Sequence, residues 1–229
     1  MEAHQFVVDA SNVAAPASGR LEAIARRTLD ITVAVLALLL LLPLILLVAI
    51  AIRCDSKGPV LFRQRRLGEQ MTPFTVLKFR TMTTGADSTP HRQYVQGMIR
   101  RAETPEANPQ GSLYKLAVDN RVTRIGRVLR RSSIDELPQL WNVVRGQMAL
   151  VGPRPVIPYE AELYPDSYLR RFAVKPGLTG LWQVSGRNER TYDEMVHLDV
   201  EYAETNSLWG DVLILGKTIG VVLRGKGVA

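Results

Sequence analysis

Apolar positions along this chain fall into three patterns. The first is an unbroken run. From Ile31 to Ile52, 22 residues carry no charge and only Thr32 is polar. As a helix this run reaches about 33 Å, enough for a bilayer core. It begins too far along the chain for a typical signal peptide, and Ile50-Ala51-Ile52-Arg53 is a poor cleavage site. Pro43 sits near the middle. Its ring removes a backbone donor and clashes with the preceding turn, so a kink or break is predicted there. Arg20, Arg26 and Arg27 precede the run; Arg53, Lys57, Arg63, Arg65 and Arg66 follow it. The positive-inside rule draws both flanks to the same side of a membrane. Two geometries stay open: a re-entrant helix broken at Pro43, and a spanning helix with a tolerated proline.

The second pattern is strand-like. Val60, Phe62, Phe74, Val76, Leu77 and Phe79 flank the polar stretch Leu67-Gly68-Glu69-Gln70, which predicts a β-hairpin. The third is helical. Leu137, Leu140, Trp141, Val144 and Met148 recur at helical spacing, with Gly146 near the end as a left-handed cap. Thr191 and Glu194 make a capping box for a helix running to about Thr205. Met195, Leu198 and Tyr202 share a face of it, and Asp199 falls on that face too. A carboxylate turned inward needs a partner. A last apolar helix spans about Ser207 to Leu223, edged by Lys217, Arg224 and Lys226, and is suited either to the core or to a headgroup plane. Residues 1–23 read as a mobile Ala/Ser-rich tail. Residues 83–112 read as a helix set in a loop, and the role of 83–118 stays open. Asp119 to Arg131 holds five arginines and predicts a basic helix or loop edge.

Charge narrows the partners. Lys plus Arg number 29 against 22 Asp plus Glu, a net charge of +7. That balance suits nucleic acid, anionic lipid or phosphorylated small substrates. Aromatics are only 7%, which argues against a stacking platform for single-stranded nucleic acid. The single cysteine, Cys54, allows no internal disulfide. The three histidines, His4, His91 and His197, are too scattered for an ordinary zinc site.

Candidate chemistry concentrates in Ser132-Ser133-Ile134-Asp135-Glu136-Leu137-Pro138-Gln139, just after Arg127, Arg130 and Arg131. An aspartate is ionised at neutral pH and attacks phosphorus without a separate base. A neighbouring glutamate suits Mg²⁺, which is held by one or two carboxylates together with substrate phosphates. Free amides at a helix start would favour the phosphate further. The plain alternative is a capping box from Ser133 to Glu136, imperfect because Pro138 deletes a bond from the second turn. In Val151-Gly152-Pro153-Arg154-Pro155, two prolines stiffen the backbone around one guanidinium, a pre-organised phosphate ligand or an ordinary turn. Lys78-Phe79-Arg80-Thr81-Met82 places two cations on a strand, where a solvated face is the alternative. Lys175 to Asn188, ending in Ser185-Gly186-Arg187-Asn188, suits either a nucleotide wrap or a structured loop. No Walker A, Rossmann glycine triplet or Asp-x-Asp pattern is present.

Taken in order, these segments resemble the bacterial sugar transferase family, the monotopic polyprenyl-phosphate phosphoglycosyl transferases. The resemblance runs from about residue 24 to 225, and is most like the small members that begin exopolysaccharide assembly with glucose or galactose phosphate. It rests on the basic-flanked run with Pro43, Gly58-Pro59-Val60, Phe62-Arg63-Gln64, Lys78-Phe79-Arg80-Thr81-Met82, Arg121-Val122-Thr123, Ser133 to Gln139, Gly152 to Pro155, Pro176 to Gly180 and Ser185 to Asn188. It implies an α+β fold: a small helical domain with a β-hairpin, membrane-associated through a re-entrant helix over 31–52 and interfacial amphipathic helices. It implies a phosphotransferase at the cytoplasmic face of the bacterial inner membrane. This enzyme would take a hexose phosphate from a UDP-sugar, release UMP and pass the phosphosugar to undecaprenyl phosphate. Asp135 would be the nucleophile that carries the phosphosugar, with Glu136 beside it to hold Mg²⁺. Arg154, Lys78, Arg130, Asp199, Arg187 and Asn188 would bind substrate or line the site. Inner-membrane lipid is the implied partner and nucleic acid is not; pairing into a homodimer is undecided, as is the sugar. One departure is Leu42 before the proline, where some members carry a small polar residue. Two other classes fit parts of the chain: a non-catalytic membrane-surface adaptor, and a glycosyltransferase that would release UDP.

Overall fold

The computed structural model describes residues 19–85, 89, 93, 95–97, 99, 121–186 and 190–224. The long apolar run is two helices, α1 (Arg20–Leu40) and α2 (Leu42–Asp55), bent by 61° at the break. Leu41 leaves helical geometry at φ −89° and ψ 2°, and Pro43 stands in the first turn of α2. The break therefore lies at Leu41, upstream of the proline. The ring neither bonds nor tolerates the carbonyl four residues back, so the chain has to leave α1 before reaching it. Among the described residues no single helix is long and apolar enough to cross a membrane; the bent pair together has the length and composition. Much of its apolar surface faces outward, with Leu40 80% and Leu47 66% exposed. The start of α1 falls inside the stretch assigned to the tail. Its first turns are tied down at their other side: Glu22 accepts from the Leu208 amide, and Arg26 reaches Tyr202, Asn206 and Asp211.

The hairpin forms as the alternation predicts. Strands β1 (Leu61–Leu67) and β2 (Pro73–Phe79) pair antiparallel, from Leu61 opposite Phe79 to Leu67 opposite Pro73. Their connection is a 3₁₀ turn over Glu69–Met71. Helix α3 (Arg124–Ser132) is the basic segment, capped by the Thr123 hydroxyl, which accepts from the Gly126 amide. After a 3₁₀ turn over Ile134–Glu136 comes α4 (Gln139–Val144). It is shorter than the apolar spacing suggested. Gly146 takes a positive φ of 77° after its end, and Met148 reaches the core from beyond the helix.

Two short strands, β3 (Ala149–Val151) and β4 (Gly177–Thr179), pair in parallel. The capping box predicted at Thr191 is present, with both of its hydrogen bonds made, and opens α5 (Tyr192–Thr205). Helix α6 (Leu208–Arg224) closes the described chain. The main core gathers Phe74 and Val76 of β2, Leu140 and Val143 of α4, Leu150 and Val151 of β3, and Tyr202 of α5. A second cluster joins Val48 and Ile52 of α2 to Phe79 and Leu129, so the two faces of β2 feed two different cores. The fold is α+β and mostly helical, as expected. The tail up to residue 18 and most of residues 83–118 lie outside the described residues.

Candidate active site

Strand β2 carries the first side chain of the site. Lys78 follows buried Val76 by two positions, so the strand period turns both to one face. Its ammonium meets the Glu136 carboxylate at 2.7 Å, with both side chains partly exposed. Helix α4 holds the two segments in register through Asn142. Its side chain accepts from the Leu77 amide at 3.0 Å and donates to the Thr75 carbonyl at 2.7 Å, acting as a neighbouring strand would. Beside the Lys78–Glu136 pair lies an open cleft, walled by Arg66, Lys78, Glu136, Gln139, Arg154 and Gln183, whose enclosed room is about 20 Å³. That is room for about one water, so the cleft can meet the edge of a phosphate group and does not enclose a sugar nucleotide.

The acidic pair rides on a turn unlike the one the sequence suggested. Ser133 has φ 57°, closes α3 and makes no side-chain cap. The Glu136 amide bonds to Ser133 O at 3.2 Å and the Leu137 amide to Ile134 O at 3.1 Å. The Ser133–Glu136 capping box is therefore absent, and these two amides are not open to a phosphate. A left-handed serine can end one helix but cannot present its hydroxyl to the next. The consequence is chemical. Glu136, released from capping, turns to Lys78, and Asp135 stands partly exposed one residue before it.

Arg154 is mounted on a turn that is held from behind. The Gly177 amide donates to Pro153 O at 2.8 Å, and the Gly152 amide to Thr179 O at 2.9 Å. The approach needs glycine: a Cβ on Gly177 would lie 2.1 Å from the Gly152 nitrogen. Under the turn, Arg171 donates to the Arg154 carbonyl at 3.2 Å and pairs with Asp199, which also accepts from the Arg154 amide. Asp199 is 0% exposed, so it does not reach the pocket. Burial pushes its carboxyl up to about 6, opposed by the Arg171 guanidinium. The inward face read from α5 was right, and the partner it called for is Arg171.

Of the site residues named from the sequence, Lys78, Glu136 and Arg154 share one pocket, with Asp135 adjacent on the turn. Arg130 is not on the pocket wall; its Nε donates to the Thr81 hydroxyl at 2.9 Å. Arg187 and Asn188 lie outside the described residues. The solvated strand face weighed for Lys78 and Arg80 is absent. Arg80 is buried, donating to the carbonyls of Ser56 and Lys57 at the end of α2. Gly58, at φ 124°, makes room for it, since a Cβ there would fall 2.1 Å from the Arg80 Nη1.

Comparison with known proteins fits this arrangement. The family described as "Bacterial sugar transferase" matches residues 21–225. The chain belongs to the bacterial sugar transferase family. It is 42% identical over 202 residues to the UDP-galactose-lipid carrier transferase of Erwinia amylovora, covering 88% of this chain and 41% of that one. Against the exopolysaccharide production protein ExoY of Rhizobium meliloti, identity is 38% over 223 residues, covering 97% and 94%. Against the UDP-glucose:undecaprenyl-phosphate glucose-1-phosphate transferase of Caulobacter vibrioides it is 40% over 206 residues, covering 86% and 69%. The chain thus spans about two-fifths of the length of the Erwinia relative.

In this bacterial sugar transferase, three buried charged residues beside the site were missed from the sequence. They are Arg66, Glu160 and Arg171, each no more than 6% exposed. Arg66 sat within a basic run and Arg171 beside Arg170, where sequence gives no way to choose the buried one. For Arg66 one clue existed: the strand period sets it on the face of Gln64, opposite Arg63 and Arg65.

Proposed function

We propose that this chain transfers a hexose phosphate from a UDP-sugar to a polyprenyl phosphate and releases UMP, the first membrane step of exopolysaccharide or related glycoconjugate assembly. The observation that carries the reading is the Lys78–Glu136 contact, which fastens the Asp135 turn to a pocket walled by Arg154. The names of the relatives, a UDP-galactose-lipid carrier transferase and an undecaprenyl-phosphate glucose-1-phosphate transferase, supply the substrate classes.

The steps follow from the charges. A carboxylate oxygen of Asp135 forms a bond to the sugar-bearing phosphorus of the diphosphate, and the bond from that phosphorus to the bridging oxygen breaks. UMP leaves with the electron pair, and the phosphosugar remains on Asp135. An oxygen of the polyprenyl phosphate then attacks the same phosphorus, breaking the aspartyl bond and returning the carboxylate. Arg154 offsets charge on the phosphoryl oxygens as the bonds exchange. Lys78 fixes the Glu136 carboxylate and draws off part of its repulsion toward the incoming diphosphate. The residues present fit Mg²⁺, since Glu136 lines the cleft and Asp135 is its neighbour on the same turn, and Mg²⁺ takes one or two carboxylates together with substrate phosphates. Glu136 and Asp135 would hold it, and when bound it would offset diphosphate charge and ease departure of the nucleotide.

Membrane placement belongs to the same proposal. The outward apolar side chains of α1 and α2 enter the lipid and return, leaving both basic flanks at the cytoplasmic face. Cys54, exposed at the end of α2, and a Gly19→Cys variant at the start of α1 should both react with an impermeant thiol reagent from that face. Labelling of one end from each side would mean a spanning helix.

The activity test uses the purified full chain with Mg²⁺, undecaprenyl phosphate and UDP-glucose or UDP-galactose. UMP and a lipid diphospho-sugar are the expected products. Release of UDP would mean glycosyl transfer instead, and no nucleotide product with any UDP-sugar would leave an adaptor. Asp135→Asn should lower turnover by at least about a thousandfold with an unchanged melting temperature. An undiminished rate in that variant rules out the assigned nucleophile.

A further inference from the structure

We infer that Arg66 joins Arg154 in a two-guanidinium clamp for the diphosphate of the sugar nucleotide, with Gln64 as the residue that positions it. The inference rests on the reading above. Arg66 and Arg154 reach one pocket wall from opposite parts of the chain, β1 and the proline turn. Arg66 is bound to both. Its Nη1 donates to the Pro155 carbonyl at 2.8 Å, so the turn that carries Arg154 also holds Arg66. Its Nε and Nη2 donate to the Gln64 side-chain oxygen at 3.0 and 2.7 Å, which fixes the guanidinium plane. A guanidinium locked in plane suits bidentate phosphate contact and loses little freedom on binding.

Charge supports the same conclusion. Glu160 is 2% exposed and lies within electrostatic reach of Arg66, Arg154 and Arg171. Its carboxylate and that of Asp199 both feel the Arg154 and Arg171 guanidiniums. Burial pushes the Glu160 carboxyl up, and the three guanidiniums oppose that shift. Guanidiniums gathered on one wall favour an anion beside them. The open cleft that Arg66 and Arg154 line is where one can approach.

Two anions qualify: the diphosphate of the nucleotide and the phosphate of the lipid acceptor. The experiment separates them. UDP binding to the full chain in nanodiscs is measured by calorimetry, which needs no turnover. Arg66→Ala should raise the Kd for UDP by at least about tenfold, and Gln64→Met by about threefold to tenfold. In turnover, Gln64→Met should raise KM for the UDP-sugar by a like factor and leave kcat and KM for undecaprenyl phosphate within about twofold. Inorganic pyrophosphate should compete with UDP on the parent chain and tenfold less well on Arg66→Ala. If Arg66→Ala does not fold, Gln64→Met decides alone, because its side chain is replaced by one of similar length. Unchanged UDP affinity in folded Gln64→Met overturns the clamp. So does a KM effect confined to the lipid phosphate. A parent chain that binds UDP but releases no UMP would instead sink the proposed activity and leave the clamp standing.

Discussion

Two regions of this protein invert the ordinary distribution of side chains, in opposite senses. In the α1–α2 pair, leucines and isoleucines face outward. Around the Arg154 turn, arginines and carboxylates are shut inside. Each arrangement costs free energy in water. The charged cluster offsets that cost within the chain, through the Arg171–Asp199 pair and the carbonyls that Arg66 and Arg171 reach. The apolar pair has no such internal remedy, because its outer face meets no further element among the described residues. The difference teaches where each region gets its stability: one from its own partners, the other from what surrounds the molecule.

Breaking the charged side of this contrast should have the largest thermodynamic effect. Arg171→Met leaves Asp199 buried and unpaired, and should cost about 3–5 kcal/mol in denaturant unfolding in mild detergent. A loss below about 1 kcal/mol would show that the pair is not the internal remedy described. On the apolar side, Leu47→Arg sets a charge on an outward apolar position and should weaken the proposed membrane association by about 2.5–3.5 kcal/mol, read by flotation with liposomes. Unfolding stability in detergent should hardly move, and a large change there would mean that α2 packs against protein.

The pH dependence sharpens the comparison further. The Asp199 carboxyl is raised from 3.8 to about 6 in the folded chain. Between those values the folded state binds the extra proton, so the group's stabilising contribution is full below 3.8 and is lost as pH rises through about 6. Stability should fall over that window in the parent chain, and the slope should flatten in Asp199→Asn. The smallest effect belongs to neither region. Thr191→Ala removes one arm of the capping box and should cost about 1 kcal/mol, a baseline for an ordinary local defect.

Local patterns were legible where one element carries its own signal. The hairpin, the Thr191–Glu194 box and the inward face of α5 all read directly, because alternation, capping and helical period are written within a few residues. Serine 133 misled for the same reason. Its spacing to Glu136 matches a capping box, yet the residue ends α3 with a left-handed backbone that the spacing does not record. The Asp135–Glu136 pair was visible as chemistry and not as geometry. Nothing in the order of residues shows that Glu136 turns to Lys78, 58 positions away.

The chain's own pattern was enough to mark a kink or break near Pro43, a hairpin, a capped α5, an acid pair and a proline-braced arginine, since each depends on neighbours in sequence. Tertiary packing settled which charges are buried and with whom. Arg66, Glu160 and Arg171 look like any other surface charges until β1, the proline turn and α5 meet around them. Burial is a property of that meeting: the cost of desolvating a charge, and the partner that offsets it, exist only once distant segments touch.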